Sequence, residues 1–234
     1  MSKKKTNLFI AGITGRMGQH ILEIANQDAK LNVTGGLGKG SLAGAKVLKS
    51  FPAKSGSIDV VIDFTLPTFF SKTLSWCVKN QLPLVSGTTG LSNKQFADIK
   101  KASQKIPILW APNMSLGVAV ANEMVKCFKY FSDADFQIEE FHHNKKLDKP
   151  SGTAKFLQTT LRKSVEKKLP QPLAIRGGGI YGIHKVYGMT DEEIVMVEHS
   201  ALNRAVFARG AITAAKWLRN QEPGEYTISN VLGL

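Results

Sequence analysis

Cysteine, aromatic residues and negative charge are all scarce in this chain. Its 234 residues include two cysteines, and aromatics make up 8%. Cys77 and Cys127 show neither metal-ligand nor redox-pair spacing, which excludes a disulfide scaffold and a thiol redox motif. Each lies in an apolar helical pattern, so both are expected to be buried, reduced thiols in a reducing, cytoplasmic compartment. No apolar run is long enough to span a bilayer. The basic start, Met1-Ser2-Lys3-Lys4-Lys5-Thr6, leads into a short strand-like run rather than the core of a signal peptide. Acidic residues number 18 against 31 basic ones, a net charge of +13. The lysines are scattered, and the aromatics are not interleaved with them as a single-strand stacking platform requires. The charge therefore reads as a solvated lysine-rich surface with no nucleic-acid or membrane partner. Small phosphates and carboxylates are the anions that a local positive cleft would attract.

What is present is alternation. Short apolar runs predict strands over 8–11, 33–37, 58–64, 82–85 and 106–110. Amphipathic stretches over 16–27, 67–79 and 92–104 predict the helices between them, with Pro67 and Ser92 as starts. This βαβ order implies a parallel sheet covered by helices on both faces. After Pro112 the pattern changes. A long helix over 115–131 is followed by a strand over 136–142, a helix over 153–168, a strand over 173–176, and a hairpin of 181–187 and 193–199 turning across 188–191. The fold class is α/β: an N-terminal Rossmann-like parallel-sheet domain (1–113, with a final helix over 207–220 and the tail to 234) and a C-terminal α+β domain with a mixed sheet (114–206). There is no internal repeat.

Two segments carry chemistry. Gly12-Ile13-Thr14-Gly15-Arg16-Met17-Gly18 lies between the first strand and the first helix. A sharp turn without Cβ atoms lets the backbone approach a pyrophosphate, and the helix start adds N–H donors and the positive end of a dipole. The second strand ends in Leu37-Gly38-Lys39-Gly40, where sites for NAD usually carry an acid. Without one, Lys39 can pair with a 2′-phosphate, which points to NADPH over NADH. The loops Gly87-Thr88-Thr89 and Ala111-Pro112-Asn113-Met114 also follow strands, where an open α/β sheet binds its ligand.

The second segment is Glu140-Phe141-His142-His143-Asn144-Lys145-Lys146, followed by Pro150-Ser151-Gly152-Thr153. A histidine suits proton transfer near neutrality. Lys146 supplies a cation, and Ser151-Gly152-Thr153 at a helix start supplies donors for a carboxylate. Asp148 reads as a residue that orients the loop. His142 and His143 could also ligate zinc, but no third ligand falls at convincing spacing, so no metal is expected. Another two-domain Rossmann dehydrogenase would explain the first half but not the His-His-Lys cluster. A non-catalytic dinucleotide sensor would have little use for the proton donor.

On the glycine loop, Asp63-Phe64-Thr65, Gly87-Thr88-Thr89-Gly90, Ala111-Pro112-Asn113-Met114-Ser115, the segment 140–154, Arg176-Gly177-Gly178 and Phe207-Ala208-Arg209-Gly210-Ala211, the chain resembles the 4-hydroxy-tetrahydrodipicolinate reductase family over nearly its whole length. The resemblance implies a dicarboxylate substrate reduced with NADPH or NADH on the route to diaminopimelate and lysine. It implies His142 as general acid/base and Lys146 as second proton donor, with His143, Gly152 and Thr153 holding the substrate. The glycine loop, Gly87–Thr89 and 111–114 would hold the cofactor, and Arg204 and Phe207 would close over it. It also implies a homotetramer formed through the second domain's sheet. Many members carry an acid where this chain has Gly38, and the stretch 39–58 is short for the family, as if a helix or strand were lost.

Overall fold

The computed structural model describes residues 5–234, so the first four residues of the basic start lie outside the described residues. The chain divides into two compact units, one reaching to Met114 and resuming at Phe207–Leu234, the other being Ser115–Val206. In the first unit the elements run β1 (Thr6–Ala11), α1 (Arg16–Asn26), β2 (Leu31–Leu37), β3 (Val47–Leu48), β4 (Val60–Asp63), α2 (Pro67–Lys79), β5 (Leu84–Ser86), α3 (Asn93–Ala102) and β6 (Pro107–Trp110). In the second they run α4 (Leu116–Lys126), β7 (Asp135–His142), α5 (Gly152–Val165), β8 (Leu173–Arg176), β9 (Ile183–Met189) and β10 (Ile194–Ser200). The chain then continues through α6 (Ala205–Leu218), β11 (Gly224–Tyr226) and α7 (Ile228–Leu232).

The strands of the first unit are apolar without alternation because both faces of the sheet are covered. Leu8, Ile10, Val60, Val61 and Ile62 have no exposed surface. Each such side chain contributes about 1.5–3 kcal/mol relative to exposure. Against one face pack Phe70, Leu74, Trp76 and Cys77 of α2 and Ile99 of α3. Pro67 occupies the first turn of α2, and Ser92 with Gln95 closes a reciprocal capping box on α3. All pairings are parallel, in the order β11-β6-β5-β4-β1-β2-β3. From β1 the chain winds outward through β2 and β3, then returns to the other side of β1 at β4. The reversal lies between β1 and β4, the position at which open α/β sheets bind ligands beyond their carboxyl ends.

The second unit is a mixed sheet in the order β10-β9-β7-β8, with β8 parallel and β9 antiparallel to β7. Period-2 alternation turns Phe136, Ile138 and Val186 inward against Val125 of α4 and Leu157 and Leu161 of α5. The opposite face leaves Leu173, Ile175, Ile194 and Met196 exposed.

Three expectations need correction. The helix expected over 115–131 is α-helical only to Lys126 and tightens to a 3-10 helix over Cys127–Phe131. Cys127 falls seven and three residues after the exposed Val120 and Met124, on the outer face, while Phe128 follows Ala121 and Val125 on the buried one, so the reading of Cys127 as a buried thiol fails; Cys77 is buried. The hairpin turns across 190–193 rather than 188–191, because Thr190 closes it: its Oγ1 accepts from the Glu192 and Glu193 amides, and its own amide donates to the Glu193 carbonyl. Gly188 instead lies within β9, where a Cβ would come within 2.9–3.1 Å of Phe128, Phe131 and Phe136. The stretch 39–58, short for the family, holds β3, paired to β2 as an edge strand. Its two residues, like the short β11 and α7, carry too little periodicity to be read from sequence.

Candidate active site

Strand β7 builds the centre. Its inward face continues past Phe136 and Ile138 to Glu140 and His142, so a carboxylate and an imidazole two residues apart share one buried face. Glu140 is fully buried, and its Oε2 lies 2.5 Å from His142 Nδ1. Arg176, at the end of the neighbouring β8, grips the same carboxylate with both guanidinium arms: Nη1 donates to Oε2 at 2.7 Å and Nη2 to Oε1 at 2.6 Å. The Ser151 amide donates to Oε1 at 2.9 Å. Burial acts against charge on Glu140, but Arg176, His142 and the Ser151 amide outweigh it and hold its carboxyl below the usual range. With Nδ1 facing Glu140, Nε2 is the nitrogen of His142 available for proton transfer. It points past Gly182, where a Cβ would lie 3.0 Å away. Burial is the largest influence on His142 and lowers its pKa; Glu140 opposes this, and Lys146 and Arg176 reinforce it.

The loop after β7 gathers the expected anion-binding groups. His143 is anchored through its amide to the Ile180 carbonyl at 2.7 Å, while its buried Nδ1 has no hydrogen-bond partner. Lys146 Nζ lies 2.8 Å from Asp148 Oδ1. Arg176 pins this loop as well, donating from Nε to the Lys146 carbonyl at 3.3 Å and from Nη2 to the Asp148 carbonyl at 2.7 Å. Ser151 caps α5 through the Ala154 amide, and Gly152 and Thr153 form the helix's first turn. Ser151 Oγ also lies 3.2 Å from His184 Nε2, and the His184 ring packs edge-on against His142 at 5.1 Å. Burial drives His184 down to about 3, so it stays neutral while His142 titrates. Among the described residues, no group of three or more His, Cys, Asp or Glu side chains is arranged to hold a metal.

In the first unit, the residues expected at a dinucleotide stand on the loops beyond the carboxyl ends of adjacent parallel strands. Gly12 has φ 86°, and a Cβ there would lie 2.7 Å from the Phe64 carbonyl oxygen. A Cβ on Gly18 would lie 2.2 Å from the Gly12 carbonyl oxygen. Helix α1 has no side-chain cap at Gly15, as α2 has none at Leu66, whereas Ser92, Ser115, Ser151 and Thr227 cap α3, α4, α5 and α7. An uncapped helix start with Thr14, Gly15, Arg16 and Met17 at its mouth fits a phosphate group. Ile13 plays a different part: its side chain is fully buried and its amide donates to the Leu37 carbonyl. Lys39 is exposed, with its amide on Thr14 Oγ1 at 3.1 Å. Gly87 packs against the Phe64 ring, Thr89 is exposed, and Met114 is buried against Gly210 of α6. The Ala111 amide donates to the Ser86 carbonyl, and Pro112 and Asn113 continue that loop. In the second unit, Arg204 lies over the Tyr181 ring at 5.5 Å.

Sequence reasoning gave no role to Asp63. It is fully buried at the end of β4 and accepts from Thr65 Oγ1, Ser86 Oγ and Thr88 Oγ1, each at 2.7 Å. Burial raises its pKa against these donors. The Thr88 hydroxyl is therefore committed to Asp63, and the carboxylate ties the loops after β4 and β5 together. Asp63→Ala leaves the buried Ser86 and Thr88 hydroxyls and the half-buried Thr65 hydroxyl without this acceptor. The expected outcome is a loss of about 2–4 kcal/mol in a denaturant titration and a raised KM for the dinucleotide, with kcat less affected. A variant with unchanged midpoint and KM would count against this role.

Comparison with known proteins follows the same division. The family model described as "Dihydrodipicolinate reductase, N-terminus" matches residues 6–114, and that described as "Dihydrodipicolinate reductase, C-terminus" matches residues 116–232. A 4-hydroxy-tetrahydrodipicolinate reductase of Bdellovibrio bacteriovorus is 47% identical over 229 residues, covering 98% of this chain and 97% of its own. One from Alkaliphilus oremlandii is 37% identical, covering 97% and 99%. The solved structure of a dipicolinate-bound dihydrodipicolinate reductase from Paenisporosarcina sp. TG-14 superposes with a TM-score of 0.74 at 20% identity, covering 95% of this chain and 97% of that one.

Proposed function

The chain belongs to the dihydrodipicolinate reductase family, and we propose that it reduces (2S,4S)-4-hydroxy-2,3,4,5-tetrahydrodipicolinate to tetrahydrodipicolinate. The reaction consumes NADPH and a proton and releases water, on the route to diaminopimelate and lysine. The observation that carries this reading is His142, held at Nδ1 by a buried Glu140 with Lys146 and the start of α5 on the loop that follows. Glu140 favours the protonated acid and occupies Nδ1, so the proton His142 gives up is the one on Nε2. Lys146, His143 and the Gly152–Thr153 turn hold the substrate's carboxylates, Lys146 by charge and the helix start by its dipole. When bound, the nicotinamide supplies the hydride. The glycine loop, with Gly87–Thr89 and 111–114, is assigned to the cofactor, and the second unit to substrate and to self-association. The exposed apolar face of its sheet, with Leu173, Ile175, Ile194 and Met196, supports a homotetramer. The free thiols of Cys77 and Cys127 accord with a cytoplasmic enzyme.

Preference for NADPH rests on Lys39 and Gly38. A Cβ at position 38 would lie 2.6 Å from Thr14 Oγ1 and Cγ2, so an acid there, as in NAD sites that bind ribose hydroxyls, would have to displace the Thr14 side chain. The test is loss of reduced-nicotinamide absorbance with freshly generated substrate, for NADPH and NADH in parallel. Wild type is expected to prefer NADPH, and Lys39→Ala to lose about tenfold in kcat/KM for NADPH, roughly one charge-assisted contact, with NADH kinetics little changed. An equal loss with both cofactors removes Lys39 from the 2′-phosphate. No turnover with either removes the reaction.

A further inference from the structure

We propose that Asp148 is a built-in competitor for the substrate: its carboxylate sits on the cation that a dicarboxylate must engage, and binding displaces it. This rests on the reading above, in which Lys146 and the start of α5 hold a substrate carboxylate. Asp148 Oδ1 lies 2.8 Å from Lys146 Nζ, the geometry of a carboxylate bound at that ammonium. The Gly152 amide, at the first residue of α5, also favours the ionised form. One internal carboxylate thus answers to two of the groups assigned to the ligand.

The loop is built so that this carboxylate can leave without disturbing its surroundings. Arg176 holds the backbone on both sides, through the Lys146 and Asp148 carbonyls. The Arg176 guanidinium is committed to Glu140, so it offers the Asp148 side chain no alternative anchor. The Asp148 side chain is 53% exposed and turns into water by rotation about its own bonds. An ion pair this open contributes no more than about 1 kcal/mol, so its release is a small penalty on binding. The penalty is nonetheless selective. A ligand with a single weak anion gains little over Asp148, whereas a dianion that also reaches His143 and the α5 amides exceeds it. The titratable groups around this position are Lys145, Lys146, Asp148 and Lys149 on the loop, Glu140 and His142 on β7, and Arg176 on β8, with neutral His184 on β9.

A purely supporting role for Asp148, holding Lys146 in place, predicts the opposite sign, which makes the test decisive. Dipicolinate, a non-reacting dicarboxylate, is titrated calorimetrically into NADPH-saturated wild type, Asp148→Asn, Asp148→Ala and Lys146→Met. Competition predicts that both Asp148 variants bind about threefold more tightly, the scale of one exposed ion pair, with a matching fall in substrate KM, and that K146M binds more weakly. Equal or weaker binding in D148N and D148A overturns the proposal and makes Asp148 a support for Lys146. Undiminished binding in K146M, or no binding to wild type, overturns it by removing the carboxylate site on which it rests, a failure distinct from the first.

Discussion

Replacing His142 with Gln is expected to lower kcat by about 10²–10⁴-fold, the usual contribution of a positioned general acid, while dipicolinate and cofactor binding stay within a few fold. Glutamine fills the space beside Glu140 and keeps a hydrogen-bonding amide, so Arg176 and the Ser151 amide retain their acceptor and the fold survives. What is lost is a group that can carry a proton near neutrality. The pH profile makes the same point independently. The acid must hold its proton before transfer, so kcat/KM is high below the free-enzyme pKa and falls as pH rises through it. Burial lowers that pKa from the ordinary value of 6.5, so the midpoint of the fall lies below 6.5. A bound dianion favours the imidazolium, so the limb in kcat is displaced upward. Stopped-flow absorbance across pH, with steady-state kcat for H142Q, checks all three. A variant within tenfold of wild type would remove His142 from proton transfer.

Arg176→Met is expected to be the most destabilising exchange in the second unit. Glu140 is fully buried, and its counter-charge comes from Arg176 through two bonds of 2.6 and 2.7 Å. Removing one partner of such a pair leaves an uncompensated buried charge, at about 3–5 kcal/mol. For a chain of this size that corresponds to a drop of about 10 °C in Tm. The sign with pH follows from the depressed Glu140 pKa. In wild type the grip contributes stability above the unfolded carboxyl's ordinary 4.5, and it is lost as pH falls through the lower folded value. R176M should therefore lose most relative to wild type at neutral pH and least in acid. Activity should fall too, because the same guanidinium pins the Lys146 and Asp148 carbonyls. Calorimetric melting at several pH values checks this, and a Tm within about 2 °C of wild type would show that the pair is not stabilising.

Glu140 shows how much of the site was legible. In the sequence His142 reads as a proton donor, while Glu140 reads only as part of the same segment. The missed signal was period 2. In Asp135–His142 the positions 136, 138, 140 and 142 share a face, and a carboxylate on a face that begins with Phe and Ile is a buried charge needing a partner. That partner, Arg176, lies 36 residues on, and nothing in the sequence pairs them. Asp63 is similar. It ends a strand buried on both faces, yet its three hydroxyl partners come from the loop after β4, the end of β5 and the loop after β5. The Cys127 reading fails on phase, since at helical spacing it follows Val120 and Met124 on the exposed side rather than Ala121 and Val125 on the buried one.

Local chemistry was enough for the parallel-sheet alternation, the starts of α2, α3 and α5 at Pro67, Ser92 and Ser151, the glycine turn into α1 and the Glu140–Lys146 segment. These depend on φ/ψ preference, capping and hydrophobic periodicity, which act between residues a few positions apart. The Arg176 clamp on Glu140, the Asp63 tie between loops, the Thr14 atoms filling the space beside Gly38 and the pairing of Lys146 with Asp148 instead of open solvent came only from the tertiary structure. Hydrogen bonds and charge pairs act over about 3 Å in space whatever the separation along the chain, and which strand ends become neighbours is decided by the topology of the two sheets.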